Sequence, residues 1–215
     1  MQTELVLDDA EPAIEPLSPG AVLLRGFAAG QEAALIAAIM QVAAAAPFRH
    51  MIVPTGHTMS AALTSCGAWG WTSSRQGYRY KDRDPDSDRP WPAMPEPFAS
   101  LAARAAAAAG YRGFVTDSGL INRYAPGARM GLHHDSDETD MNAPIVSVSL
   151  GLPATFLWGG ARRNDKTRKL RVAGGDVVVF GGPARLFYHG VDPVKEGQHP
   201  LAGGFRYNLT FRKVR

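Results

Sequence analysis

The sequence predicts a mainly β protein with supporting helices, built as a sandwich or jelly roll. Three observations predict it. From Phe114 to the C-terminus, short apolar runs of period two recur at roughly regular spacing, the pattern of an antiparallel sandwich or jelly roll. The two helix-like stretches, both alanine-rich and free of internal glycine, lie ahead of that point. The chain has 215 residues, of which 45% are hydrophobic, which suits one domain with a full core.

Residues 1–19 read as a flexible arm, acidic at the start: Met1 to Glu15 holds five acidic residues and no basic one. Residues 20–215 read as a single domain. Ala21 to Arg25 is its first strand. Gly30 to Ala46 reads as a helix stopped by Pro47, since proline ends a helix at the residue before it. Met51 to Tyr80, rich in Thr, Ser, Gly and aromatics, suggests hairpins. Lys81 to Pro97 is a Pro- and Asp-dense loop, basic together with Arg75 and Arg79 just before it. Pro97 to Ala109 is a second helix, closed by Gly110. Then come Ile145 to Gly151, Thr155 to Trp158, a basic loop from Ala161 to Lys169, Asp176 to Phe180 after a Gly-Gly turn, Leu186 to Val191, and Arg206 to Arg212. There is no internal repeat.

Charge and cysteine count narrow the function classes. Lys+Arg number 23 against Asp+Glu 20, a net charge of +3; this permits a polyanionic partner without requiring one. The single cysteine, Cys66, cannot form an intrachain disulfide, which fits a reducing compartment. No signal peptide and no apolar run of membrane-spanning length is visible. A cytoplasmic chain without membrane association is expected.

The densest chemistry is Leu132-His133-His134-Asp135-Ser136-Asp137-Glu138. His133 and Asp135, two apart on an extended chain, point to the same side and can converge on one cation. His134 points away. His189, in Phe187-Tyr188-His189-Gly190, is the best third donor. Two histidines and a carboxylate with open positions opposite form the facial arrangement of non-heme Fe(II) oxygenases. Taken alone, the string equally suits a solvated acidic turn. Near the C-terminus, Arg206-Tyr207-Asn208-Leu209-Thr210-Phe211-Arg212 alternates. Tyr207, Leu209 and Phe211 form one face; Arg206, Asn208, Thr210 and Arg212 form the other. Two guanidiniums and an amide on one face suit a small dicarboxylate, although an exposed amphipathic strand has the same pattern.

These two stretches occur with Leu120-Ile121-Asn122-Arg123-Tyr124-Ala125-Pro126-Gly127, Gly70-Trp71-Thr72, Arg75-Gln76-Gly77-Tyr78, Pro90-Trp91-Pro92-Ala93-Met94-Pro95, Ile145 to Gly151 and Gly174 to Val179. Jointly they make the chain, from about Gly20 to Arg212, resemble the AlkB family of Fe(II)- and 2-oxoglutarate-dependent dealkylating dioxygenases, in its bacterial DNA-repair branch. The resemblance implies a double-stranded β-helix core over 114–215 and a nucleotide-recognition lid over 48–98. It implies Fe(II) on His133, Asp135 and His189, with 2-oxoglutarate and O2 as cosubstrates. Asn122, Tyr124, Arg206, Asn208 and Arg212 would bind 2-oxoglutarate, Arg206 at the far carboxylate and Arg212 nearer the metal. Trp71, Tyr78, Arg79 and Tyr80 in the lid, with Arg163 in the basic loop, would meet the substrate. Asp137 and Glu138 would favour a base made cationic by alkylation.

The implied reaction is oxidative dealkylation of N-alkylated bases, of the 1-methyladenine and 3-methylcytosine type, in single- or double-stranded DNA or in RNA, by a monomer. Two rivals stand beside it. A 2-oxoglutarate oxygenase acting on a protein or small molecule would keep the metal and cosubstrate residues without the lid. A nucleic-acid-binding jelly roll with a dead metal site would not need an intact ligand set.

Overall fold

The computed structural model describes residues 13–215, so most of the expected flexible arm lies outside the described residues. The described part of that arm is different from expectation. Ile14–Ser18 is strand β1, paired antiparallel with β2, Ala21–Leu24. It is an edge strand, the place where Pro16 can sit without breaking a ladder. Arg25 ties it down, donating to the Glu15 carboxylate at 2.8 Å, and Arg168 pairs with the same carboxylate.

Two sheets face one another. The major sheet has seven strands in the order β1-β2-β11-β8-β13-β6-β3. Its members are β3 (Ala62–Gly67), β6 (Ser118–Tyr124), β8 (Ile145–Gly151), β11 (Val177–Phe180) and β13 (Arg206–Arg212), with β1 and β2. The minor sheet has four, in the order β10-β9-β12-β7: β7 (Met130–His133), β9 (Ala154–Trp158), β10 (Arg168–Val172) and β12 (His189–Val191). All pairings are antiparallel. This is the expected jelly-roll arrangement.

Strand alternation divides the core in two. Val146, Val148 and Leu150, Val177 and Val179, and Tyr207, Leu209 and Phe211 face outward from the major sheet, against the helices. Those helices are α1 (Glu32–Ala45) and α2 (Glu96–Ala108). α1 buries Leu35, Ile36, Ala38, Ile39 and Val42; α2 buries Phe98, Leu101, Ala102, Ala105 and Ala106. These are one-face spacings of a 3.6-residue helix. Pro47 stops α1 as expected, forcing Ala46 into an extended conformation (φ −131°, ψ 93°). The opposite face of the major sheet supplies Ala21, Leu23, Tyr124, Val178 and Phe180 to a second cluster, shared with Phe156, Trp158, Leu170 and Val172 of the minor sheet. The site lies between the sheets.

Two other differences bear on the site. The stretch expected to hold hairpins splits: β3 joins the major sheet beside β6, and only β4 (Gly70–Ser74) and β5 (Gly77–Lys81) form a separate two-stranded sheet. Where one strand was expected from Leu186, a 3-10 turn, Gly182–Ala184, precedes a short β12 that begins at His189.

Candidate active site

His133 ends β7 and His189 begins β12, and the two are paired across the ladder. Antiparallel pairing therefore brings the imidazoles together, with ring centroids 4.4 Å apart. Asp135 follows two residues past His133. One of its carboxylate oxygens lies 3.7 Å from His133 Nε2, the other 3.9 Å from His189 Nε2. Donor atoms of all three residues fall within 4.8 Å of one another. The other ring nitrogens are engaged: His133 Nδ1 is 2.9 Å from the Gly131 carbonyl oxygen and His189 Nδ1 is 3.1 Å from that of Phe187. A carbonyl accepts only from N–H, so each Nδ1 carries the proton and each Nε2 offers its lone pair to the centre. That is how metal-ligating histidines are oriented.

Electrostatics prepare His189 and Asp135. Burial, with the neighbouring His133, pulls the His189 imidazole down to about 4, leaving it neutral at pH 7. Burial alone would raise Asp135; Arg212, His189 and His133 outweigh it and hold the carboxyl well below the usual range. His189 therefore presents a neutral nitrogen and Asp135 an ionised oxygen, the state in which such groups bind a divalent metal.

Beside the triad is a cavity lined by Asn122, Tyr124, Arg206, Asn208, Arg212 and the triad itself, with Ser147 and Ser149. Ladder register builds its polar floor. Arg206 is opposite Tyr124 and Asn208 opposite Asn122 on β6, while Ser149 on β8 is opposite Asn208 from the other side. All five predicted cosubstrate residues thus share one face of adjacent strands.

Arg206 decides the chemistry of this cavity. The residue is only 1% exposed, and among the described residues its side chain makes one hydrogen bond, from Nη2 to the Ser149 hydroxyl at 3.1 Å. Nε and Nη1 are buried without a partner among the described residues, and burial lowers the pKa of the group. A buried cation without a counter-charge is costly. The cavity is therefore short of one anion at its inner end. Arg212, by contrast, is held: it donates to Asp135 at 2.8 Å, while its Nε and Nη1 have no hydrogen-bond partner among the described residues. Asn122 Oδ1 has no hydrogen-bond partner among the described residues. A dicarboxylate with one end on Arg206 and the other beside Arg212 and the triad fits both.

The profile of the 2OG-Fe(II) oxygenase superfamily matches residues 20–212. The chain belongs to this superfamily. It is 58% identical over 206 residues to the alpha-ketoglutarate-dependent dioxygenase AlkB of Escherichia coli (strain K12), covering 96% of this chain and 95% of that protein. The mouse nucleic acid dioxygenase ALKBH1 is 32% identical over 124 residues, 58% of this chain and 32% of that protein. Among solved structures, that of OsALKBH1 superposes with a TM-score of 0.82 at 28% identity, covering 94% of this chain and all of that one. As a 2OG-Fe(II) oxygenase, the chain is a dioxygenase that uses Fe(II), 2-oxoglutarate and O2. The triad and the unpaired Arg206 fit that set.

The predicted substrate residues separate. Trp71 lines both the cavity and a wider mouth outside it; Tyr78, His134, Asp137 and Arg163 line the mouth. Trp71 and Tyr78, cross-hairpin neighbours, stack at 5.4 Å and 18°. Trp71 Nε1 donates to Asp137 at 2.9 Å, fastening the hairpin to the metal-ligand loop. His134 is exposed, as expected, with its ring 4.7 Å from Tyr188. Arg79 is exposed and lines neither space. Tyr80 turns inward and donates to Glu138 at 2.6 Å. Glu138 itself corrects the expectation of a substrate contact: it is 6% exposed, enclosed by Tyr80, Arg185 and Arg212. Adjacent residues of an extended chain face opposite ways, so Asp137 meets the mouth and Glu138 does not.

Sequence reasoning missed Ser147, Ser149 and Arg185. The serines carried a signal, since they alternate with Val146, Val148 and Leu150. Arg185 carried none.

Proposed function

We propose that the chain removes alkyl groups oxidatively from N-alkylated nucleic-acid bases of the 1-methyladenine and 3-methylcytosine type, as a cytoplasmic monomer. The observation that carries the reading is the mouth. It leads directly to the triad and is walled by a stacked aromatic pair, a carboxylate and a guanidinium, namely Trp71, Tyr78, Asp137 and Arg163. Flipped bases are read by stacking and edge contacts, and phosphates by arginine. A base alkylated at a ring nitrogen is cationic, and Asp137 is the anion that would receive it. The nucleic acid dioxygenase among the relatives supports the same class.

When bound, iron with 2-oxoglutarate and O2 supplies the oxidising power; an N-methyl carbon is hydroxylated, and the product loses formaldehyde to leave the free base. The chain's own residues do the rest. Arg206 neutralises and orients the far carboxylate of 2-oxoglutarate. Arg212, through its Nη1, orders the end nearest the triad. Phe156, Phe180 and Val178 keep the cavity wall apolar and limit water. Trp71 and the hairpin β4–β5 are the substrate-gripping part of the lid proposed over 48–98. DNA and RNA, single- or double-stranded, share the chemistry that Trp71 and Asp137 would read.

Binding of a 1-methyladenine oligonucleotide to the metal-loaded chain tests the reading. The methylated strand should bind more tightly than its unmethylated twin, and Trp71→Ala should weaken it by roughly 1–3 kcal/mol while substrate-independent 2-oxoglutarate turnover survives. Equal binding of both strands would leave an oxygenase of proteins or small molecules as the better reading.

A further inference from the structure

Behind the metal-facing side of Asp135 lies a buried chain of alternating charges: Arg185, Glu138, Arg212, Asp135. The Arg185 side chain is 4% exposed and that of Glu138 is 2% exposed. Arg185 uses every part of its guanidinium. Nη2 donates to Glu138 at 2.8 Å, Nη1 to the backbone carbonyl of Asp135 at 2.7 Å, and Nε to that of Ala143 at 3.1 Å. Glu138 Oε1 accepts from Tyr80 and lies 3.2 Å from Arg212 Nε. Arg212 Nη2 then donates to one oxygen of Asp135.

Charges buried this deeply are a poor way to gain stability, because desolvation cancels most of the attraction. Their placement accounts for them better. Arg185 stands four positions before His189, on the segment that delivers that ligand, and grips the loop that delivers Asp135. It therefore fixes the spacing between two metal-ligand segments. Glu138 holds Arg212 from behind. That leaves Arg212 Nη2 pinning one Asp135 oxygen, so that the other, nearer His133, is the one available to a metal. It also leaves Nη1, which has no hydrogen-bond partner among the described residues, as a donor for the cosubstrate, with Nε turned to Glu138.

We propose that Arg185 and Glu138 are positioning residues for the metal carboxylate Asp135 and for Arg212, acting through contact with them and touching neither substrate nor metal. The proposal rests on the metal site alone and stands apart from the nucleic-acid reading.

The test is titration of the metal-free chain with Mn(II), followed by paramagnetic resonance, for wild type and for the double variant Arg185→Met/Glu138→Gln. Removing both charges avoids leaving either one buried alone. The expected result is a fold retained by circular dichroism with Mn(II) affinity reduced roughly 10–100-fold, the usual scale for loss of groups that orient metal ligands. The apparent 2-oxoglutarate requirement should also rise, while binding of the methylated oligonucleotide is unchanged. Unchanged Mn(II) affinity would overturn the proposal. So would a selective loss of oligonucleotide binding, which would return Glu138 to the substrate. If the double variant fails to fold, Glu138→Gln alone, which keeps size and hydrogen-bonding capacity, is read by the same two outcomes.

Discussion

Arg206 is buried with two of its nitrogen groups unpartnered among the described residues, and this single residue says most about what the cavity is for. Lysine would keep the charge but lose the planar two-donor fork. Arg206→Lys should raise the apparent 2-oxoglutarate requirement, and Arg206→Ala should raise it much further, both measured as KM at saturating Fe(II). At the triad, His133→Ala should abolish metal binding while His134→Ala largely spares it; equal loss in a metal titration would contradict the register. The opposite facing of His133 and His134 was legible in the sequence because alternation on an extended chain needs no tertiary knowledge. The interior place of Glu138 was not. Whether a carboxylate faces solvent or a buried arginine depends on which segment folds over it, and Arg185 is 47 residues away along the chain.

Among elements, β13 was the most legible: a period-two strand whose two faces, the core side Tyr207, Leu209 and Phe211 and the ligand side Arg206, Asn208 and Arg212, fall as written in the sequence. The β4–β5 hairpin was legible as a hairpin, but not its separation from β3, since both stretches have similar composition and only pairing partners distinguish them. Edge strand β1 was hidden by an acidic, proline-containing sequence that edges tolerate. The hairpin leans on Trp91, whose Nε1 donates to the Lys81 carbonyl at 3.0 Å and whose ring covers Gly70. A Cβ at Gly70 would lie 2.2 Å from that ring. Gly70→Ala should therefore cost about 1–3 kcal/mol in a denaturant melt, and should weaken oligonucleotide binding by displacing Trp71.

At the scale of the molecule, the jelly roll places the helices and their core cluster on one face of the major sheet and the site on the other, where Tyr124, Val178 and Phe180 serve both the inter-sheet core and the cavity wall. No helix among the described residues is long and apolar enough to cross a membrane. Cys66 lies fully buried at the helix-facing side, and burial pushes its thiol up to about 12. Native chain should resist thiol alkylation that labels unfolded chain readily. The unfolded thiol, near 9, ionises first; the folded state then binds more protons, so this group's contribution to stability is present below pH 9 and lost as pH rises toward 12.

The cavity beside the metal triad and the mouth next to it share Trp71, His133 and Asp135, and the proposed function has the cosubstrate in the first and a cationic base in the second. Succinate release measured with Fe(II), 2-oxoglutarate and O2, with and without a 1-methyladenine oligonucleotide, tests it most directly. Iron-dependent release that rises on adding the methylated strand, with formaldehyde formed in step with the added succinate, is the predicted result. Release indifferent to that strand, or absent with iron present, would contradict it.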